Sequence, residues 1–423
     1  MPEGKVRVPT DEELNRITGR AVAEVVPYEE FIAGLRSGRP LRIKMGFDPT
    51  KPVITMGWAV GIRKLRQLQD LGHTVVVIIG DWTARIGDPS GRSETRKMLT
   101  EDEVTSNADA ILEQFFKILD RSRTEVRRQT EWFGEFSLTD VVRLASRFTI
   151  AQLLERDDFS KRFSERQPIG IHELLYPLLQ GYDSVAIEAD IEFGGTDQKF
   201  NIHVGRELQR DMGLECGPAG QGQALLLVPM LIGLDGKRKM SQSFDNFIGI
   251  DAPAHDMYGK LMSIPDALMG DYFELLTDVP DEEIAEVRQA VEDSSANPME
   301  HKKRLAREIV TQFHSETAAQ EAESHFVRTF SKGEISAELA TDIPVDRLPL
   351  VDGEASADSF IVKLPALLTE HGAASSTSEA RRLIQQRAVE IDGQIVTDTV
   401  ATVKVGSTLR VGKHRFLRVV TPE

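Results

Sequence analysis

Apolar and polar positions alternate from Leu41 to Asp48, as they do in a strand with one face buried, and Asp48-Pro49-Thr50 stops the run. Ala59 to Leu71 then repeats its apolar positions at helical spacing and closes on Gly72, a C-cap residue. Thr74 to Ile79 is a short β-branched run of the kind buried on both faces of a parallel sheet. Strand, helix and strand at this spacing make a βαβ unit, whose ligands bind beyond the carboxyl ends of the strands. Those ends are Gly46 to Thr50 and the Gly-, Asp-, Ser- and Arg-rich stretch Gly80 to Arg96. The pattern predicts helix over residues 11–40 and again from the Thr100/Glu103 capping pair to about Leu119. It predicts a strand-like piece over Val126–Trp132, helices over Thr139–Leu154 and Phe200–Met212, and a strand over Gln223–Met230. Residues 250–330 read as charged helices, and the acidic, proline-bearing stretch 336–358 as a linker. The tail predicts a helix, Glu379 to Gln386, capped by Ser378, then a hairpin turning at Asp392-Gly393. The boundaries that follow are 1–248, with an inserted helical segment at about 100–190, then 249–335, the linker, and 359–423.

A chain of 423 residues exceeds one core, so two or three domains are expected. There is no apolar run long enough to span a membrane, and the opening residues lack the apolar core of a signal peptide. With a single cysteine, Cys216, these features predict a reduced, cytoplasmic protein with no membrane partner. The net charge of −16 argues against a wholly basic nucleic-acid binder. The tail departs from that sign: residues 359–423 carry nine Lys/Arg against six Asp/Glu, with Arg381, Arg382 and Arg387 on or beside the predicted helix. That change suggests an RNA-binding appendage, although a solvated charged face is the commoner meaning of such a run.

The densest chemistry lies between Gly170 and Asn201. Tyr176, Gln180 and Asp183 fall at i, i+4 and i+7 on one face of an otherwise apolar helix. Gly194-Gly195-Thr196-Asp197-Gln198 follows after a strand-like run. Carboxylates, carboxamides and a tyrosine together suit a polar amino acid, accepting from its ammonium and pairing with a hydroxyl. The same stripe also fits a buried hydrogen-bonded network with no ligand.

These stretches together resemble bacterial tyrosyl-tRNA synthetases, from about residue 10 to the C-terminus. The motifs are GFDPT (46–50), RKLRQLQDLGH (63–73), IGDPSGRSETR (86–96), LLYPLLQGYDSVAIEADIEFGGTDQKFN and LDGKRKMSQS (234–243). The resemblance implies an α/β, Rossmann-type class I catalytic domain and an all-α anticodon-recognition domain. It also implies a small C-terminal α+β RNA-binding module like one in a ribosomal small-subunit protein, and a homodimer. The implied substrates are tyrosine or a related aromatic amino acid, ATP with its magnesium, and tRNA, with no protein-built metal site. Asp183 matches the position that reads the substrate hydroxyl, and Tyr176, Gln180 and Asp88 those that hold its ammonium. Gln198 also matches a pocket residue, and Lys44 stands where one branch of the family has a tyrosine. Gln129 replaces an expected asparagine. The resemblance puts Gly46, Asp48, Thr50, Gly57, Asp197, Met240 and Ser241 around the nucleotide.

At the phosphate end the sequence departs from the family. His-x-Gly-His is replaced by Thr55-Met56-Gly57-Trp58, and Gln242 stands for the second lysine of Lys-Met-Ser-Lys-Ser. Lys239, Arg92 and Arg96 are retained. Removing one preorganised donor typically costs about 10² to 10³ in rate, so the losses predict adenylation roughly 10⁴-fold slower or worse. The resulting expectation is a paralogue repurposed for another amino-acid or aminoacyl-tRNA reaction in specialised metabolism. An active tyrosine–tRNA ligase and a non-catalytic tyrosine- or tRNA-binding protein are the alternatives.

Overall fold

The computed structural model describes residues 6–89, 100–292, 297–328, 340–356, 359–412 and 415–421. The chain divides into two compact units, Met1–Ala319 and Gln320–Glu423.

The first unit is built on six strands: β1 (Glu24–Val26), β2 (Arg42–Phe47), β3 (Thr74–Ile79), β4 (Thr124–Arg128), β5 (Ile191–Gly195) and β6 (Ala224–Val228). Their order across the sheet is β1-β6-β5-β2-β3-β4, parallel except for β1, which runs antiparallel to β6. The chain leaves β2 toward β3 and β4, then returns to lay β5 and β6 on the other side. A crevice therefore opens between the carboxyl ends of β2 and β5, where such sheets take ligands. Val75 to Ile79 are wholly buried, as their unbroken apolar run requires.

Several elements differ from the sequence reading. Residues 11–40, expected as helix, divide into Asp11–Gly19, β1 and Tyr28–Arg36. A strand of three residues is too short to display its alternation. The span 139–154 is broken into Leu138–Ala145 and Ile150–Leu153, each opened by its own hydroxyl cap, Ser137 and Thr149. Strand character ends at Arg128, and Thr130–Phe133 is a helical turn. The helices from Ala254 to Phe313 belong to the first unit, packed by buried residues such as Tyr258, Tyr272 and Ile309.

The stretch 336–358 is not a linker where it is described. It supplies β7 (Ala340–Pro344) and β8 (Leu350–Ser356) to the second unit. That unit adds β9 (Ser359–Lys363), β10 (Val389–Ile391), β11 (Gln394–Ile395), β12 (Val400–Lys404), β13 (Thr408–Val411) and β14 (Arg415–Val420). They form sheets ordered β11-β10-β13-β14-β7 and β12-β9-β8, with helices Leu364–Glu370 and Thr377–Gln385. Acidic composition hid these strands, because β7 enters by pairing in parallel with the distant β14. The expected hairpin is present, and φ of 50° at Asp392 and 79° at Gly393 fits its tight turn.

Helix Ile171–Ala186 presses against helix Lys199–Asp211 at Gly181. A Cβ there would lie 2.9 Å from Val204 Cγ1 and 3.0 Å from the backbone nitrogen of Gly205. Gly181→Val is expected to cost about 1–3 kcal/mol through overpacking. Urea unfolding measures this, and an unchanged midpoint would mean that the two helices separate freely.

Candidate functional site

A cavity of about 290 Å³ occupies the crevice between β2 and β5. Its deep end is set by Asp183, which is buried on helix Ile171–Ala186. One oxygen accepts from Gln129 Nε2 at 2.8 Å and the other from Trp132 Nε1 at 3.1 Å. The Gln129 amide is oriented by its other end, where Oε1 accepts from the backbone of Thr83 at 2.9 Å and from the Thr83 hydroxyl at 3.0 Å. Glutamine therefore presents its NH₂ to Asp183 despite departing from the expected asparagine. Burial pushes the Asp183 carboxyl up to about 7, against the opposing pull of Lys44 and of the Gln129 bond.

The resemblance counts Lys44 among the residues of the amino-acid pocket; its side chain lies behind the cavity wall. It is wholly buried, donating to Gln180 O at 2.7 Å and Ser184 Oγ at 2.8 Å, and pairing with Glu192 Oε1 at 3.0 Å. Glu192 also accepts from Gln180 Nε2 at 3.2 Å, Ser184 Oγ at 2.9 Å and Gln223 Nε2 at 2.6 Å. The sequence reading missed Glu192; a carboxylate inside the apolar strand β5 is the signal that marks it.

In the middle of the cavity, Tyr176 donates to Asp48 Oδ2 at 3.0 Å, and burial raises its phenol well above the ordinary range. Asp88 accepts from Gln198 Nε2 at 2.8 Å and from Arg156 Nη2 at 3.2 Å. Asn201 joins the set by donating to Gln180 Oε1 at 2.9 Å and Gln198 Oε1 at 3.1 Å. The structure thus brings Tyr176, Gln180, Asp88 and Gln198 together and adds Arg156 and Asn201. Neither of the two has a pattern in the sequence that singles it out. Carboxylates at this point offer charge and acceptors to an ammonium.

The outer end is more polar and more exposed. Thr55 is the N-cap residue of helix Met56–Asp70, and its buried hydroxyl has no hydrogen-bond partner among the described residues. Gly57 and Met240 line the cavity, and a Cβ at Gly57 would lie 3.4 Å from the Thr55 hydroxyl and 3.5 Å from Met240 Cβ. The Trp58 ring is tucked edge-on against Phe47 and Phe115, at centroid distances of 6.0 and 6.4 Å, and forms part of the wall. Lys239 donates to Asp197 Oδ2 at 2.6 Å. Asn246 Oδ1 holds the backbone of Ser241 at 2.9 Å, and Gln242 Nε2 donates to the carbonyl of Val53. Gly46, Thr50, Ser241 and Gln242 all line the cavity. At Gly80 a Cβ would fall 2.3 Å from Asp48 Oδ1, so glycine there keeps room for that carboxylate. Arg92 and Arg96 lie outside the described residues. The arrangement offers a buried acceptor for a hydroxyl, a cluster for an ammonium, and a wider polar end beyond them.

The family described as tRNA synthetases class I (W and Y) matches residues 36–331, and the S4 domain matches residues 362–409. The chain is 50% identical to the tyrosine–tRNA ligase of Dehalococcoides mccartyi strain CBDB1, over 97% of this chain and 99% of the relative. It is 49% identical to that of Moorella thermoacetica, over 96% and 95% respectively. Among solved structures, a truncated mitochondrial tyrosyl-tRNA synthetase of Aspergillus nidulans superposes with a TM-score of 0.60 at 20% identity. That match covers 75% of this chain and 93% of that one, and it supports the fold alone.

The Asp183 carboxyl predicts a pH signature. It stays protonated to about pH 7 in the folded chain, whereas the unfolded chain ionises near 4. Between those values the unfolded state binds fewer protons, so stability falls as pH rises, by roughly 4 kcal/mol at most. Unfolding free energies of wild type and Asp183→Asn, compared from pH 4 to 8, should diverge over that window and run parallel above it. Parallel curves throughout would remove the shift.

Proposed function

Because the chain belongs to the tyrosyl-tRNA synthetase family of class I synthetases, we propose that it is an active tyrosine–tRNA ligase. In this reading tyrosine and ATP, with its magnesium, give tyrosyl-adenylate and pyrophosphate, and the tyrosyl group then passes to the 3′ end of tRNA. The observation that carries it is one cavity lined from Asp183 at its floor, through Asp48 beside Tyr176, to Asp197 and Lys239 at its mouth. Asp183 accepts from the phenol while Gln129 and Trp132 hold its carboxylate in place. Asp88, Tyr176, Gln180 and Gln198 take the ammonium, which directs the tyrosine carboxylate outward. Asp48 and Asp197 offer acceptors to a ribose, and Lys239 leaves Asp197 for the phosphates. Attack of the tyrosine carboxylate on the α-phosphorus forms one P–O bond and breaks the bond to pyrophosphate, which leaves with the electron pair.

The repurposed paralogue is the weaker reading. Half-identity to tyrosine–tRNA ligases over nearly the whole chain favours the same reaction. The packing of Trp58 also favours it, since the ring lies against Phe47 and Phe115 as a wall. The S4 match, with Arg381, Arg382 and Arg387 exposed, supports tRNA as the partner of the second unit. A homodimer is supported by exposed Leu138, Val142, Ile150, Phe163 and Ile171, which fall within one segment of the inserted region. No helix among the described residues is long and apolar enough to cross a membrane; a cytoplasmic location completes the reading.

Tyrosine-dependent ATP–pyrophosphate exchange tests the proposal. Wild type should exchange, and Asp183→Ala should lose both exchange and the thermal stabilisation that tyrosine confers on wild type. Tyrosine stabilisation with no exchange would return the repurposed reading.

A further inference from the structure

Among the described residues that line the cavity there are two cations, Lys51 and Lys239, against five carboxylates: Asp48, Asp88, Asp183, Glu192 and Asp197. Lys239 is already paired with Asp197. Lys51 has no carboxylate partner among the described residues, and its ammonium donates to the main-chain oxygen of Gln242 at 3.0 Å. Gln242 reaches back in turn, donating its side-chain amide to the carbonyl of Val53. Segment 51–53 and the loop around Gln242 are thus latched by two bonds running in opposite directions.

The base beneath Lys51 is fixed. Asn107 Nδ2 donates to Pro49 O at 3.0 Å; Gln114 donates to Pro52 O at 2.9 Å and accepts from Ile54 N at 2.8 Å. Gln114 is itself buried. An exposed lysine on an anchored segment keeps its charge in water until an anion arrives, and little of the backbone need move to meet that anion. Glu192 is already balanced by Lys44 and Asp88 by Arg156, so the carboxylates that a polyanion at the mouth meets are Asp48 and Asp197, and cations facing it there offset their repulsion.

Resting on the ligase reading above, we propose that Lys51 is a catalytic residue for adenylation. Its ammonium holds the β- and γ-phosphates of ATP and neutralises pyrophosphate as the bond to the α-phosphorus breaks. Gln242 supplies no charge there, and its role is to keep the two segments latched so that Lys51 and Lys239 face the same anion.

The test measures tyrosine-dependent exchange and calorimetric binding of inorganic pyrophosphate on the same preparations of the full chain. Lys51→Met should lower kcat/KM for ATP about 10²-fold, and pyrophosphate affinity tenfold or more, the loss of one charge-assisted bond. Tyrosine affinity should stay within twofold, which separates an anion-binding role from a structural one. Lys51→Arg should keep most of the activity, and adding Gln242→Lys to Lys51→Met should recover at least tenfold. Exchange and pyrophosphate binding both unchanged in Lys51→Met would overturn the assignment and leave the ligase reading intact. A wild type that binds pyrophosphate through Lys51 yet exchanges nothing would retire the ligase reading and leave Lys51 as the anion site. Loss of tyrosine binding in step with exchange would also overturn the assignment, by making Lys51 a structural residue.

Discussion

The buried pair of Lys44 and Glu192 is the constraint on which the rest of the site depends. The two side chains are 0% and 1% exposed, and isolated charges at such depth would be untenable. They persist because every strong valence is met. Lys44 has three acceptors, and Glu192 takes donors from Lys44, Gln180, Ser184 and Gln223. These groups come from β2, β5, the Ile171–Ala186 helix and the residue just before β6. Removing either charge would leave its partner buried and unpaired, at a cost of about 3–5 kcal/mol. Removing Glu192 would also release the Gln180 carboxamide, which Asn201 holds from its other end. The pair therefore fixes the buried end of the cavity, which Glu192 lines and Lys44 supports from behind.

The two ends of the cavity are built differently. At the floor, Asp183 is positioned by donors that are themselves positioned, through Gln129 and then Thr83. A low-dielectric surrounding strengthens each bond and makes an unmade one expensive. At the mouth the contacts are lysines on exposed segments, where water screens charge and each pair contributes little to stability. Chemistry there depends on which charges are in reach when an anion binds.

Much of this was legible in the sequence. The βαβ spacing located the crevice, and the i, i+4, i+7 stripe put Tyr176, Gln180 and Asp183 on one helix. Helical periodicity cannot show what lies across from a helix, so Arg156, Asn201 and Glu192 had no mark beyond being polar in an apolar setting. The direction of the Lys44 side chain was not legible for a related reason. Its position on β2 is readable, but whether its long chain turns into the cavity or behind it depends on Glu192, which is 148 residues away. The strands β7 and β8 were invisible because their pairing is long-range, and local composition argued against them. Lys51 escaped notice because it lies in a loop, where spacing carries no information about what the ammonium reaches.

The same asymmetry governs how a change of side chain is tolerated at each end. Thr55 holds the N-cap position through its main-chain carbonyl while its buried hydroxyl has no partner among the described residues, Trp58 finds ring contacts, and Gln242 finds a carbonyl. An equivalent change at Asp183 or Glu192 would strand buried donors and unsettle the core. Substitution at the mouth therefore alters charge while leaving the buried end as it was. What a loop loses in one lysine, a neighbouring segment can supply in another, provided the two segments are tied together. Lys51 and Gln242 meet that condition: the bond that orients the lysine and the bond that holds the glutamine are halves of one latch.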